Sequence, residues 1–285
     1  MKTLKTTFLL TALTLLLIFG GQLIAGQRGM TMGLVIAVVM NGVSYFFSDK
    51  IALASSHAQL VTREQAPRLY AVMERLAGKA GLPMPKLYVS PQPAPNAFAT
   101  GRNPRHASVC VTAGLMQIMD DEELEGVIAH ELSHVRNYDI LTSSIAATLA
   151  GAVTWLAEMG KWGLIFGGWG GGRDNDREGG GIAAILMLFL APIAALLLQL
   201  GISRQREYQA DASGAKMVGH PYGLIKALEK LGAYNKRIPM AISPSASSLC
   251  IVAPLLGRNM FASLFSTHPP LDDRIEILKH MQITH

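Results

Sequence analysis

The sequence predicts a mainly α-helical chain with a small edge sheet, in which a four-helix transmembrane region carries an α+β domain facing water. Three observations lead there. Hydrophobic residues make up 50% of the 285 positions and charged residues only 16%, a balance typical of membrane proteins. The apolar residues are gathered into four runs near the roughly 20 residues that a helix needs to cross a bilayer. Between the second and third runs, and again after the fourth, ordinary charged sequence returns with the periodicities of helices and short strands.

The first two runs predict a helical hairpin at the N-terminus. Residues 6–27 contain no ionisable side chain, and after Arg28 a second uncharged run, 29–48, is closed by Asp49 and Lys50. Lys2 and Lys5 precede the first run as they would in a signal peptide. The run is longer than a signal core, however, and no small-x-small cleavage site follows, so a retained anchor is expected. The third run, 140–157, is rich in Ser and Thr and continues past Glu158 and Lys161 to Phe166. The fourth, 182–202, carries no charge, and Pro192 within it is tolerable where neighbouring helices re-satisfy the backbone. The division that follows is a transmembrane hairpin at 1–50, water-facing segments at 51–139 and 203–285, and a second hairpin at 140–202. With Lys2 and Lys5 on one side, the loop around residue 175 is expected outside the cytoplasm and residue 68 inside.

Within 51–139, Leu69, Val72, Met73, Leu76 and Ala77 recur at helical spacing. KLYVS (86–90) and ASVCVT (107–112) read as short strands at a sheet edge, separated by the loop PQPAPNAFATG (91–101). Asp120, Asp121 and Glu122 open a further helix where its dipole favours negative charge, with Leu124, Val127, Ile128 and Val135 as the buried stripe. The glycine-rich segment 167–181 lacks a following Gly-Lys-Ser/Thr and a preceding strand, so it is a connecting loop and not a phosphate cradle. Residues 203–239 read as helix, 240–270 as loop with a short apolar stretch, and a last helix begins near Leu271. Cys110 and Cys250 do not make a disulfide framework and are expected as free thiols. The net charge of +5 comes from scattered Lys and Arg without a dense basic run, which gives no case for nucleic acid.

The stretch VIAHELSHVRNYD, 127–139, carries the chemistry. Residues four apart lie one turn above each other on a helix, so His130 and His134 can direct their imidazoles at one point, a geometry suited to a zinc ion. Glu131 is offset by about 100° around the helix, placed to act as general base on a metal-activated water. A chance His-Glu-x-x-His occurs in on the order of one chain in a hundred of this size. The pattern therefore needs a third ligand before it carries weight. The stretch SRQREYQADAS, 203–213, offers Glu207 and Asp211, four residues apart. One could bind the ion while the other accepts the ring N–H of a ligating histidine; the plainer reading is a polar membrane-exit segment with Arg204 and Arg206 as interfacial charges.

VIAHELSHVRNYD, SRQREYQADASG, PNAFATG and STHPPLDDRI, taken together and in this order, resemble the HtpX family of bacterial membrane zinc metalloproteases, relatives of the CAAX prenyl proteases. The resemblance covers nearly the whole chain. It implies a zincin-type, gluzincin-like α+β domain holding one Zn2+, with His130, His134 and Glu207 as ligands and Glu131 as the catalytic carboxylate. It also implies a multi-pass protein of the bacterial inner membrane with its catalytic domain in the cytoplasm. Its role would be proteolytic quality control and stress response, with protein or peptide substrates that include membrane proteins. Under the same resemblance, Asn96 and the following FATG would lie beside an edge strand, 107–112, able to bind an extended substrate by strand addition. His268, or Arg274, would stabilise the oxyanion.

Connectivity supports Glu207. A residue that shares a metal with His130 must stand in the same aqueous compartment, so the chain must cross the membrane an even number of times between them, and two runs satisfy this. Glu207 is then expected as third ligand, a water as fourth, and Asp211 as the residue that orients a histidine. Two other functions compete. Cleavage within the bilayer would need an apolar metal helix, whereas charge flanks this one at Asp120–Glu125 and Arg136–Asp139; a non-catalytic scaffold would have no need of an intact His130, Glu131 and His134.

Overall fold

The computed structural model describes residues 2–151, 204–235, 251 and 269–282. The expectations for 152–203, for most of 236–268, and for His268 and Cys250 in particular lie outside the described residues.

The chain begins with the helical segment α1, Lys2–Ser55. A straight helix of that length would span about 80 Å. Instead it folds back at Gly26, whose φ of +57° is a left-handed value that costs glycine little. Asn41 Nδ2 donates to Thr14 Oγ1 at 2.8 Å and to the Leu10 carbonyl at 3.3 Å, and Gly33 sits against the Leu17 backbone. Two antiparallel arms result. The second, Gly26–Ser55, is the one described helix long and apolar enough to cross a membrane; the first contains the shorter apolar helix Thr6–Phe19. The second arm runs beyond the expected boundary at residue 50, and Ala52 and Leu53 pack on Phe98 and Cys110 of the sheet.

The sheet has four strands: β1 Gln59–Leu60, β2 Lys86–Ser90, β3 Ala97–Gly101 and β4 Ala107–Thr112, in the order β1-β2-β4-β3. β2 and β4 run parallel, and the outer pairings are antiparallel. This corrects the expected edge. Strand 107–112 is paired on both sides, and the edge strands are β1 and β3, the latter being the AFATG segment read from sequence as loop. Five residues of Ala, Phe, Thr and Gly carry too little alternation to announce a strand, and only pairing with β4 makes them one. Cys110 lies at the centre of this sheet, where burial pushes its thiol up to about 12; it is a packing residue.

Helix α2, Pro67–Ala80, starts with proline at its first position and buries the five residues that the periodicity singled out. After the short α3, Ala113–Ile118, comes α4, Asp121–Arg136. Asp120 and Glu123 close a reciprocal capping box at its start: Asp120 Oδ1 accepts from the Glu123 N–H at 2.8 Å, and Glu123 Oε2 from the Asp120 N–H at 2.9 Å. The expected stripe of α4 is buried, and so are Ala129, His130, Glu131, Leu132 and Ser133. A helix covered on all sides is the central element of its domain.

A two-residue turn leads from α4 to helix α5, which starts at 139 and is described to 151. It packs through Ile145, Ala146 and Leu149 on Leu9 and Leu13 of α1, and Thr142 meets Thr6 at 3.0 Å. The expected helix 203–239 is two helices, α6 Arg204–Val218 and α7 Tyr222–Asn235. Gly219, at φ +108°, turns the chain ahead of Pro221, a Gly-x-Pro stop that the sequence displays and the longer reading passed over. The last helix is α8, Leu271–Lys279.

Candidate metal centre

α4 and α6 cross with their backbones nearly touching, because Gly214 of α6 lies over the His130 backbone. A Cβ at position 214 would stand 2.9 Å from the His130 nitrogen. The close approach brings Glu207, two helical turns before Gly214, up to the histidine face. His130 Nε2 and His134 Nε2 are 3.3 Å apart. Glu207 Oε2 is 3.7 Å from the first, and Glu207 Oε1 is 3.6 Å from the second. These three residues are the group of potential ligands that converges among the described residues.

The donor set fits a tetrahedral ion. Bonds of 2.0–2.1 Å at tetrahedral angles put neighbouring ligand atoms about 3.3 Å apart, the separation of the two Nε2 atoms. Both rings also turn Nδ1 toward carboxylates: His130 Nδ1 is 2.8 Å from Asp211 Oδ1, and His134 Nδ1 is 3.4 Å from Asp139 Oδ2. A proton held on Nδ1 leaves the Nε2 lone pairs facing each other. Charge points the same way. Glu131, Glu207, Asp139 and Asp211 bring four negative charges and Arg206 and Arg274 two positive ones. With neutral imidazoles the pocket is short by two positive charges, which a divalent cation would supply.

The titration of His134 points the same way. For His134, burial works against the charged form, but the Glu207 carboxylate, the Asp139 hydrogen bond and the Glu131 charge outweigh it and raise its pKa to about 9. Burial raises the carboxyl of Glu131, while both histidines and a hydrogen bond from the Ala99 N–H pull it down. Asp211 is held below the usual carboxylate range despite its burial, because Arg274 grips it.

Of the remaining expected residues, Arg274 stands behind Asp211 and Asn96 lies at the start of β3. Arg274 is fully buried on α8; Nε and Nη2 donate to the two Asp211 oxygens at 2.8 and 2.7 Å, and Nη1 donates to the Ile251 carbonyl at 2.7 Å. Three of its five N–H donors are engaged in this support. Asn96 is buried and accepts from the Ile251 N–H through Oδ1 at 3.2 Å. Ile251 thus joins Asn96 to Arg274. Sequence reasoning missed Asp139 and Arg206, which were read as flanking charges. Position 139, five residues past His134, was the available signal.

β3 passes α4 with its outer edge. The Thr112 N–H donates to the Asn96 carbonyl, so in this antiparallel register Phe98 and Thr100 face β4 with their backbone groups, whereas Ala97, Ala99 and Gly101 point theirs outward. Ala99 uses its N–H on Glu131. Thr100 and Ser144 meet at 2.8 Å and tie the edge strand to α5.

Comparison with known proteins agrees with this geometry. Residues 63–282 match the model of peptidase family M48. A protease HtpX homolog of Desulfatibacillum aliphaticivorans is 57% identical over 271 residues, covering 95% of this chain and 87% of that protein. One from Syntrophobacter fumaroxidans is 51% identical over 278 residues, covering 97% and 98%. The crystal structure of S. mikatae Ste24p superposes with a TM-score of 0.50 at 20% identity; the match covers 98% of this chain and 65% of that one, and shows the fold alone. The match over most of the chain, the identity shared with these proteases and the His-His-Glu cluster together lead to one assignment: the chain belongs to peptidase family M48 and is a metalloprotease.

Proposed function

We propose that this metalloprotease is a zinc-dependent membrane endopeptidase of the HtpX type, with His130, His134 and Glu207 as ligands and Glu131 as general base. The observation that carries the reading is the convergence of the two Nε2 atoms, at tetrahedral spacing from each other, with the Glu207 carboxylate 3.6–3.7 Å from them. Zinc bound there supplies a Lewis acid that lowers the pKa of water and polarises a carbonyl. Glu131, held by the Ala99 N–H beside both histidines, takes the proton of the attacking water and returns it to the leaving amine. Asp211, backed by Arg274, keeps His130 in the ligating tautomer. The outer edge of β3 receives an extended substrate segment by strand addition.

The membrane reading draws on α1. Met32, Val35, Val38, Val39 and Phe46 are each more than half exposed along Gly26–Ser55, a cost in water that lipid removes. Four transmembrane helices, the division into two hairpins and two catalytic segments, the gluzincin-like class, the inner membrane and the cytoplasmic orientation complete the proposal. Substrates are protein chains exposed by misfolding, membrane proteins among them, and the role is quality control.

The test is metal content and cleavage of an unstructured protein by the full chain in detergent, for wild type and Glu131→Gln. Both are expected to hold one zinc per chain, and only the wild type to cleave. A Glu131→Gln chain that cleaves at the wild-type rate would remove Glu131 from the mechanism.

A further inference from the structure

His134 is backed by its own carboxylate–arginine pair, at the point where α4 hands over to α5. Its Nδ1 lies 3.4 Å from Asp139 Oδ2, and Arg206 Nη1 lies 3.4 Å from Asp139 Oδ1. Both side chains are largely buried, at 13% and 14% exposure. The arrangement repeats the one behind His130, where Asp211 takes the carboxylate place and Arg274 the guanidinium place. Helical spacing does not produce this second copy. Asp139 lies beyond the end of α4, and it returns beneath His134 because Tyr138 adopts a left-handed φ of +61°, uncommon for a bulky residue. A new helix then starts at once at 139. Arg206 reaches Asp139 from α6, the helix that carries Glu207 one residue further on.

We infer that Asp139 and Arg206 are positioning residues of the metal centre. Asp139 accepts the Nδ1–H of His134 and so aims its Nε2 at the ion, and Arg206 holds Asp139 in place. The inference rests on the proposed ligand roles of His134 and Glu207. It also gives the centre two separate supports. The His130 side is braced by the C-terminal helix α8 through Arg274, whereas the His134 side is braced at the ends of the two apolar runs, 140–166 and 182–202, which Asp139 precedes and Arg206 follows.

Zinc affinity of the full chain in detergent, measured by competition with a chromogenic chelator, tests this, together with the visible spectrum of the cobalt-loaded protein and the melting of the metal-free protein. Asp139→Ala is expected to weaken zinc roughly 10–100-fold, the usual loss for a group behind a ligand, and to change the cobalt bands. Arg206→Ala should lose less, and the double variant no more than Asp139→Ala alone, because Arg206 acts through Asp139. Asp139→Ala with Asp211→Ala should instead lose the product of the two single losses. Wild-type zinc affinity and cobalt spectrum in Asp139→Ala would overturn the inference, and a fall in melting temperature alone would reduce the pair to a structural contact. If Asp139→Ala does not fold, the near-isosteric Asp139→Asn answers the same question: weaker zinc sustains the inference, and unchanged zinc and cobalt bands overturn it. If the wild type itself binds no zinc, the ligand assignment fails first.

Discussion

At His134 the competition between proton and metal can be read directly. In the metal-free chain its pKa stands at about 9 instead of 6.5, so the ring is charged at neutral pH, and a metal must displace that proton. Apparent zinc affinity should therefore rise about tenfold per pH unit up to about pH 9 and then level off. Chelator competition between pH 6.5 and 9.5 measures this, and a flat profile would contradict it. Stability of the metal-free protein has the opposite sign: the imidazolium contributes fully below pH 6.5, and the contribution is lost as pH rises through 9. The proposed roles of Glu207 and Asp211 predict different losses. Glu207→Ala should lose zinc and hydrolysis together, whereas Asp211→Asn should weaken zinc roughly 10–100-fold. Stoichiometric zinc in Glu207→Ala after dialysis against a mild chelator would place the third ligand elsewhere, and His268 would be tested next.

The centre depends on how closely α6 lies on α4. Gly214 is the contact that permits it, since any side chain there would meet the His130 and Ala129 backbone at 2.9 and 3.1 Å. Gly214→Ala gains up to about 1 kcal/mol of helix propensity, but overpacking against backbone costs about 1–3 kcal/mol. The expected outcome is a lower melting temperature with weaker zinc binding, because α6 carries Glu207 away as it retreats. Unchanged melting and affinity would mean that the helices part without moving the ligand. The sheet teaches a related lesson. KLYVS and ASVCVT were legible as strands from their β-branched residues, but AFATG was not. The edge fell on AFATG because β4 has a neighbour on each side, a property of pairing that no local composition expresses.

Taken whole, the described molecule joins its apolar hairpin to its metal domain directly, with Leu53 against Phe98, and through α5, where Thr142 meets Thr6 and Ser144 meets Thr100. Under the proposed topology residue 68, exposed in the domain, faces the cytoplasm and residue 175 the opposite side. Single cysteines at these positions, with Cys110 and Cys250 replaced, should label from opposite faces of sealed vesicles. Labelling of both from one side would overturn the topology and, with it, the cytoplasmic orientation.

Local pattern alone was enough for the helix around His130, the five buried residues of α2, the helix opening at Asp120, the apolar helix of the second N-terminal run and the pairing of His130 with His134. These follow from periodicities of a few residues along one element. Sequence also narrowed the third ligand to Glu207 or Asp211, but spacing assigns them no roles; their distances to Nε2 and Nδ1 come from the crossing of α4 and α6 at Gly214. The pairing of Arg274 with Asp211 was likewise out of reach of the sequence: α8 buries the guanidinium there, and a buried guanidinium requires a carboxylate. Asp139 and Arg206 lie 67 positions apart, and no periodicity spans that separation. Their meeting beneath His134 belongs to the packing of three helices, and long-range contacts of that kind leave no mark on the residues beside them in the chain.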